Sequence, residues 1–214
     1  MEGMTFMKFK RYPIGEYLTN CYVVSDEETN DAAIIDPGDV KKSIEEYISD
    51  NKLNVKYIIF THGHFDHIKG VYYYSCKYPD ALIAIHLSDA ESLVDEHCNF
   101  EYPAPYDFIP VKPNIILKDG DIINVGKIEL KIIHTPGHTE GGICLYSENI
   151  LFSGDTLFKK TIGRTDLPGG NSQKIIDSVK KLYKLPDDTT VYPGHGFRTN
   201  IGYEKNNNLF VRVD

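Results

Sequence analysis

The sequence predicts an α+β fold in which two β-sheets pack face to face and helices cover their outer sides. Three observations carry that expectation. Short apolar runs such as VKYIIF (55–60) have the length and composition of buried strands rather than of helices. NVGKIELKII (124–133) alternates, with Ile128, Leu130 and Ile132 on one side and Lys127, Glu129 and Lys131 on the other, as a half-buried antiparallel strand does. Segments of helical period are interspersed among these strands rather than gathered at one end. A length of 214 residues suits one domain spanning 1–214, and there is no repeat or low-complexity tract to divide it.

The elements follow in order. CYVVS (21–25) and AAIID (32–36) flank the turn-rich DEETND and form a hairpin. Asp39 is placed to cap a helix that turns Val40, Ile44, Tyr47 and Ile48 to one face. The strand VKYIIF runs straight into THGHFDH (61–67), and a helix extends from there to about residue 77. ALIAIH (81–86) is the next strand, and Ser88 with Glu91 has the capping-box spacing for a further helix. The loop-rich stretch 97–113, with its prolines and aromatics, is either a flap over a pocket or a packed surface loop. After the alternating strand come two more, GICLYS (142–147) and NILFSG (149–154). A helix from about Asn171 then buries Ile175, Ile176, Val179, Leu182 and Tyr183. TTVYPG (189–194) is the last strand.

Composition narrows the function. Lys plus Arg number 23 against 31 Asp plus Glu, a net charge of −8, which argues against a nucleic-acid partner. No stretch has the length of a membrane span, so no membrane partner is expected. Cys21, Cys76, Cys98 and Cys144 form no CxxC pair and read as reduced, mostly buried thiols. With no apolar leader at the N-terminus, the expected location is the cytoplasm.

Four strand ends each deliver a histidine or aspartate into a loop: His62, His138, Asp155 and His195. In an extended loop, residues two apart project to the same side, so His62 and His64 reach one ion. Asp66 and His67, where the chain turns into a helix, point elsewhere and suit a second ion. Imidazole and carboxylate are suitable ligands for zinc, and also for iron or manganese. His138 in TPGHT is the best third ligand for the first ion. Asp155 in SGDT is placed to bridge the two, and His195 in YPGHG to close the second site. Each of these three taken alone is an ordinary loop residue, but four ionisable ligands in HxHxDH after a buried strand have no packing use. His86, His97 and His134 read as structural, His97 on an apolar helix face with Leu93 and Val94. Two ions sharing an aspartate and a water point to hydrolysis, because coordination brings the water's pKa to near 7 and hydroxide becomes the nucleophile without a protein base. No GxSxG or cysteine nucleophile competes.

Asp36 in IIDPG, THGHFDH, TPGHT, SGD and PGHG occur in the order seen in the metallo-β-lactamase-fold hydrolases, and the chain resembles that superfamily over nearly its whole length. GRTDLPGG (163–170) and the tail GHGFRTNIGYEKNNN are similar to the short glyoxalase II-like (hydroxyacylglutathione hydrolase-like) members. The resemblance implies an αββα four-layer sandwich with the site at one edge. It implies His62, His64 and His138 on a first metal, Asp66, His67 and His195 on a second, and Asp155 bridging. Asp36 would support the ligand loop without binding metal. Arg164 would meet a substrate carboxylate or else form a loop ion pair. The implied cofactor is a pair of divalent ions, zinc first and iron or manganese as alternatives, and the implied partner is a small-molecule thioester. Two departures are present: full-length glyoxalase II has a further helical C-terminal domain, and the family's Asn-Pro is Asn208-Leu209 here. Persulfide dioxygenases resemble the chain too and use one iron on the residues matching His62, His138 and Asp155. Gly196 after the tail histidine, where that family has aspartate, favours the hydrolase. A closed structural zinc cage, usually four ligands often including cysteine, does not account for seven His and Asp candidates.

Overall fold

The computed structural model describes residues 7–98 and 108–212. Two six-stranded mixed sheets stack face to face. The first contains β1 (Met7–Ile14), β2 (Thr19–Asp26), β3 (Asp31–Ile35), β4 (Asn54–Ile59), β5 (Leu82–His86) and β6 (Ile115–Leu117), in that spatial order. The second is built from β7 (Ile122–Val125), β8 (Ile128–His134), β9 (Ile143–Ser147), β10 (Ile150–Gly154), β13 (Thr190–Pro193) and β14 (Thr199–Asn200). Between β10 and β13 the chain forms a separate small hairpin of β11 (Leu157–Phe158) and β12 (Thr161–Ile162). The helices are α1 (Lys42–Asp50), α2 (Phe65–Ile68), α3 (Val71–Lys77), α4 (Ser172–Leu182) and α5 (Ile201–Asn207).

Strand side chains alternate in direction, and three apolar clusters record the result. Ile35 and Ile59 point inward to meet Leu130, Ile132, Leu145 and Phe152 of the second sheet. Their neighbours Ile34 and Ile58 point outward, against Ile44 and Ile48 of α1 and Tyr74 of α3. On the far side, Cys144 and Leu151 pack with Val179 and Leu182 of α4 and Ile201 of α5. Strands covered on both faces need continuous rather than alternating apolar sequence, which is why β3 and β4 read as runs. The αββα sandwich is therefore present.

Several boundaries differ from the sequence expectation. The 124–133 segment is two strands, paired Val125 to Ile128 across the two-residue turn of Gly126 and Lys127. Gly126 has φ +60°, the left-handed conformation that a tight hairpin of this kind requires. Asp39 does not cap α1: the helix starts after Lys41, Val40 is exposed, and the Asp39 carboxylate lies 3.4 Å from Lys69 Nζ. Ser88 is not a cap either. His86 Nδ1 accepts from Ser88 N (3.2 Å) and opens a tight 3-10 turn over Leu87–Leu93. His97 is exposed in a second short turn rather than on an apolar helix face. Cys21 and Cys144 are buried, but Cys76 is exposed and Cys98 intermediate, so half of the thiols depart from the expected burial. Ile176 is only partly buried, while Ile175, Val179, Leu182 and Tyr183 are buried as expected. Asn171 caps α4 through bonds from Gln173 N and Lys174 N. Of the loop reading for 97–113, residues 99–107 lie outside the described residues.

Strand direction places the site. β9 is antiparallel to both β8 and β10, and β10 is parallel to β13, so β8, β10 and β13 all run the same way and end on one edge. The register pairs Gly154 with Pro193, which sets Asp155 and His195 beside each other. β4 reaches the same edge from the first sheet: Thr61 O accepts from Ile143 N (2.8 Å), so the THGHFDH loop is tied to the start of β9. Among the described residues no helix is long and apolar enough to cross a membrane.

Candidate metal centre

His62, His64 and His138 converge with ring centroids 4.4 to 4.9 Å apart. Asp66, His67 and His195 form a second group: His195 Nε2 lies 3.2 Å from Asp66 Oδ2, and His67 Nε2 lies 3.6 Å from the same oxygen. Asp155 stands between them, with Oδ1 3.5 Å from His67 Nε2 and Oδ2 3.5 Å from His138 Nε2 and 3.6 Å from His195 Nε2. His62 joins His67 and Asp155 in a third set of donors close enough for one ion. All seven residues singled out in the sequence are thus brought together in one cluster.

The imidazoles are aimed by what holds their outer nitrogens. Asp36 Oδ1 accepts from Thr61 N and its Oδ2 from Thr61 Oγ1, both at 2.7 Å, while His67 Nδ1 lies 3.0 Å from Oδ2. Because the Thr61 hydroxyl donates to Asp36, it is left to accept from His62 Nδ1 (3.1 Å), which turns His62 Nε2 inward. His138 Nδ1 donates to the Arg164 carbonyl (2.8 Å) and His195 Nδ1 to the Tyr17 carbonyl (3.1 Å). Each of these rings therefore presents Nε2 to the centre, the arrangement that metal-ligating histidines share. Thr19 Oγ1 donates to Asp66 Oδ2 (2.8 Å) and fixes that carboxylate. Gly194 permits the packing, since a Cβ there would lie 2.1 Å from Asp155 Oδ1 and 2.8 Å from His67 Cε1. Thr19, Thr61 and the Tyr17 carbonyl were not singled out in the sequence. Thr61 opens THGHFDH itself, but Tyr17 lies in the β1–β2 turn and Thr19 at the start of β2, and neither carries a motif.

The donor set fits cations. Among the described residues, the buried atoms His138 Nε2 and Asp155 Oδ1 have no hydrogen-bond partner, which is costly unless a positive charge meets them. Burial, reinforced by neighbouring imidazoles, holds His62 well below the ordinary histidine range and His64 at about 3, so both are neutral donors at pH 7. In the other group burial acts against charge, yet the Asp66, Asp155 and Asp36 carboxylates outweigh it and raise His67 to about 10. That half already attracts positive charge. Nitrogen and oxygen donors without sulfur suit zinc, iron or manganese.

A cavity of about 450 Å³ opens over the cluster, with Tyr17, Phe65 and Leu167 as its apolar wall and Arg164 at its rim. The Arg164 guanidinium donates to Asp166 through Nε and Nη2, both at 2.7 Å, so the loop ion pair is the one formed. His86 and His134 stand apart from the centre and stack on each other, centroids 4.1 Å apart, with burial and the His134 ring holding His86 at about 4.

The model of the Metallo-beta-lactamase superfamily matches residues 14–195. An uncharacterised protein of Aquifex aeolicus is 39% identical over 96% of this chain and 97% of its own. A Haemophilus influenzae protein named hydroxyacylglutathione hydrolase GloC is 34% identical over 96% and 98%. Among solved structures, the BLEG-1 B3 metallo-beta-lactamase superposes with a TM-score of 0.88 at 32% identity, covering 95% of this chain and 99% of that one. ETHE1 from Myxococcus xanthus gives 0.78 at 28% identity, over 94% and 83%. TTHA1623 in a di-iron-bound form gives 0.76 at 30% identity, over 94% and 100%. With the sandwich, the ordered motifs and the His/Asp cluster at its edge, the chain belongs to the metallo-β-lactamase superfamily.

Proposed function

We propose that the protein is a dinuclear metal-dependent hydrolase of small thioesters of the S-hydroxyacylglutathione type. One observation carries the reading: a second complete donor group, Asp66, His67 and His195, abuts the three-histidine group, with the Asp155 carboxylate between them. His62, His64 and His138 would hold one ion and Asp66, His67 and His195 the other. Two divalent ions there supply hydroxide at neutral pH and Lewis-acid polarisation of a carbonyl. The chain's own residues do the rest. Asp36, through Thr61 and His67, keeps the imidazoles from turning away. Tyr17, Phe65 and Leu167 offer apolar surface to the acyl and thiol carbons, and Arg164, whose Nε and Nη2 are held by Asp166, turns its remaining Nη1 donors to a substrate carboxylate. The relative named hydroxyacylglutathione hydrolase, similar along its whole length, supports the thioester. Zinc is the metal first expected, and the di-iron form of TTHA1623 keeps iron in view.

The likeness to ETHE1 supports a second reading, a persulfide dioxygenase with a single iron on His62, His138 and Asp155. In this structure, however, His62 and His138 group with His64, and Asp155 groups with His62 and His67, which favours two ions.

The test is a substrate panel on metal-loaded protein: S-lactoylglutathione and other thioesters, a chromogenic cephalosporin, and glutathione persulfide with an oxygen electrode. Thioester hydrolysis without oxygen uptake is the expected result. Oxygen consumption with persulfide, or turnover confined to the cephalosporin, would contradict it. Within that panel, Arg164→Ala should raise KM for a carboxylate-bearing thioester about tenfold and leave kcat within about a factor of three, because the guanidinium binds the ground state and the transition state alike. Initial rates over a substrate series separate the two constants.

A further inference from the structure

The three-histidine half of the centre is assembled from two loops of different origin, 61–64 after β4 and 135–142 after β8. Asp89 lies between them, in the tight turn Leu87–Leu93 that follows β5. Its side chain is buried at 8% exposure. Oδ2 accepts from Gly63 N (2.9 Å) and Thr139 Oγ1 (2.7 Å), and Oδ1 accepts from Gly141 N (2.7 Å). Gly63 separates His62 from His64, and Thr139 follows His138. A single carboxylate therefore grips both loops one residue away from each of the three imidazoles.

The neighbouring sequence is fitted to that grip. A Cβ at Gly63 would lie 2.4 Å from Ser92 Oγ, and one at Gly141 would lie 2.5 Å from Asp89 Cγ, so neither loop could approach the turn with a side chain in place. The turn is itself braced, by Ser92 Oγ donating to Asp89 O (2.6 Å) and by Ser88 N donating to His86 Nδ1 (3.2 Å). The Asp66, His67 and His195 group is held by other residues altogether: Thr19, Asp36 and the Tyr17 carbonyl.

The geometry points to Asp89 as a positioning residue for His62, His64 and His138, one that sets how tightly that half of the centre holds a divalent ion and leaves the other half unaffected. This rests on the metal-centre reading and is independent of which substrate is cleaved.

The experiment is a titration of metal-free protein with Zn²⁺ against a chromogenic chelator, in two backgrounds. His195→Ala weakens the second group and reports the three-histidine half, whereas His64→Ala weakens the first and reports the other. Asp89→Asn keeps the size of the side chain but has one acceptor oxygen instead of two, so the N–H of Gly63 or of Gly141 loses its partner. In the His195→Ala background the added Asp89→Asn should weaken Zn²⁺ binding about 10- to 100-fold, the usual cost of losing an outer support. In the His64→Ala background the change should stay within about threefold. Thr139→Val, which removes one of the three donors, should give a smaller loss in the same half, and Thr139→Ser should restore it. Unchanged affinity in both backgrounds would overturn the assignment. Equal weakening in both would also overturn it, by making Asp89 a general support of the fold. Should Asp89→Asn fail to fold, the Thr139 pair decides alone: no difference between Val and Ser overturns the proposal. Parents that bind no Zn²⁺ would overturn the metal-centre reading together with it.

Discussion

Asp155→Ala is expected to lower kcat/KM for a thioester by roughly a thousandfold, equivalent to about 4 kcal/mol of transition-state stabilisation, while the two sheets stay folded. The reason lies in its position. Asp155 places one oxygen near His67 and the other near His138 and His195, so its removal takes a donor from both groups at once. Bound metal should fall from about two ions per chain to about one or fewer. Little of the fold depends on this side chain: Oδ1 has no hydrogen-bond partner among the described residues, and the strand before it is held by the β9 and β13 ladders. The melting temperature of the metal-free protein should therefore move by only a few degrees, a shift of about 1 kcal/mol. Elemental analysis, thioester kinetics and a melting curve on one preparation check all three. A variant that keeps two ions and near-normal turnover would remove Asp155 from the centre.

Asp36→Ala has a different signature, because Asp36 supports both the loop and a ligand. It sits at φ +50° with 1% exposure, and its loss leaves the buried Thr61 N–H without an acceptor. An orphaned buried donor costs about 1–3 kcal/mol, and His67 loses the partner that orients it. Metal-free Asp36→Ala should be about 3 kcal/mol less stable in urea unfolding, and zinc affinity should fall about 10- to 100-fold. Asp36→Asn should lose less, since asparagine keeps one acceptor and tolerates positive φ. Equal losses for Ala and Asn would show that the carboxylate itself, and not its reach or backbone geometry, is what matters.

Much of this was legible in the sequence, for reasons that differ from element to element. The runs of β3 and β4 read directly because strands buried on both faces must be apolar throughout. The candidate ligands read because HxHxDH after such a strand leaves ionisable groups with nothing to pack against. The β7–β8 hairpin was concealed: Val125 and Ile128 face each other across a two-residue turn, and the alternation resumes on the far side as if one strand continued. β1 carries Lys8, Lys10 and Arg11, and only Tyr12 and Ile14 near its end are buried, so it offers little apolar signal. The supports of the centre divide the same way. Asp36 carries its role in its side chain and stands in a recognisable motif. The carbonyls of Arg164 and Tyr17 hold His138 and His195 through main-chain atoms that every residue possesses, so no residue type marks them. Asp89 acts from a turn distant in sequence from both loops it joins, and only the packing of the two sheets brings the three together.

The proposed function requires that one cluster of seven side chains hold two ions. Metal content per chain, by elemental analysis of protein purified without added metal, tests it most directly. About two ions per chain, zinc or mixed zinc and iron, is the expected result. A single iron per chain, unchanged after incubation with excess zinc and desalting, would contradict it.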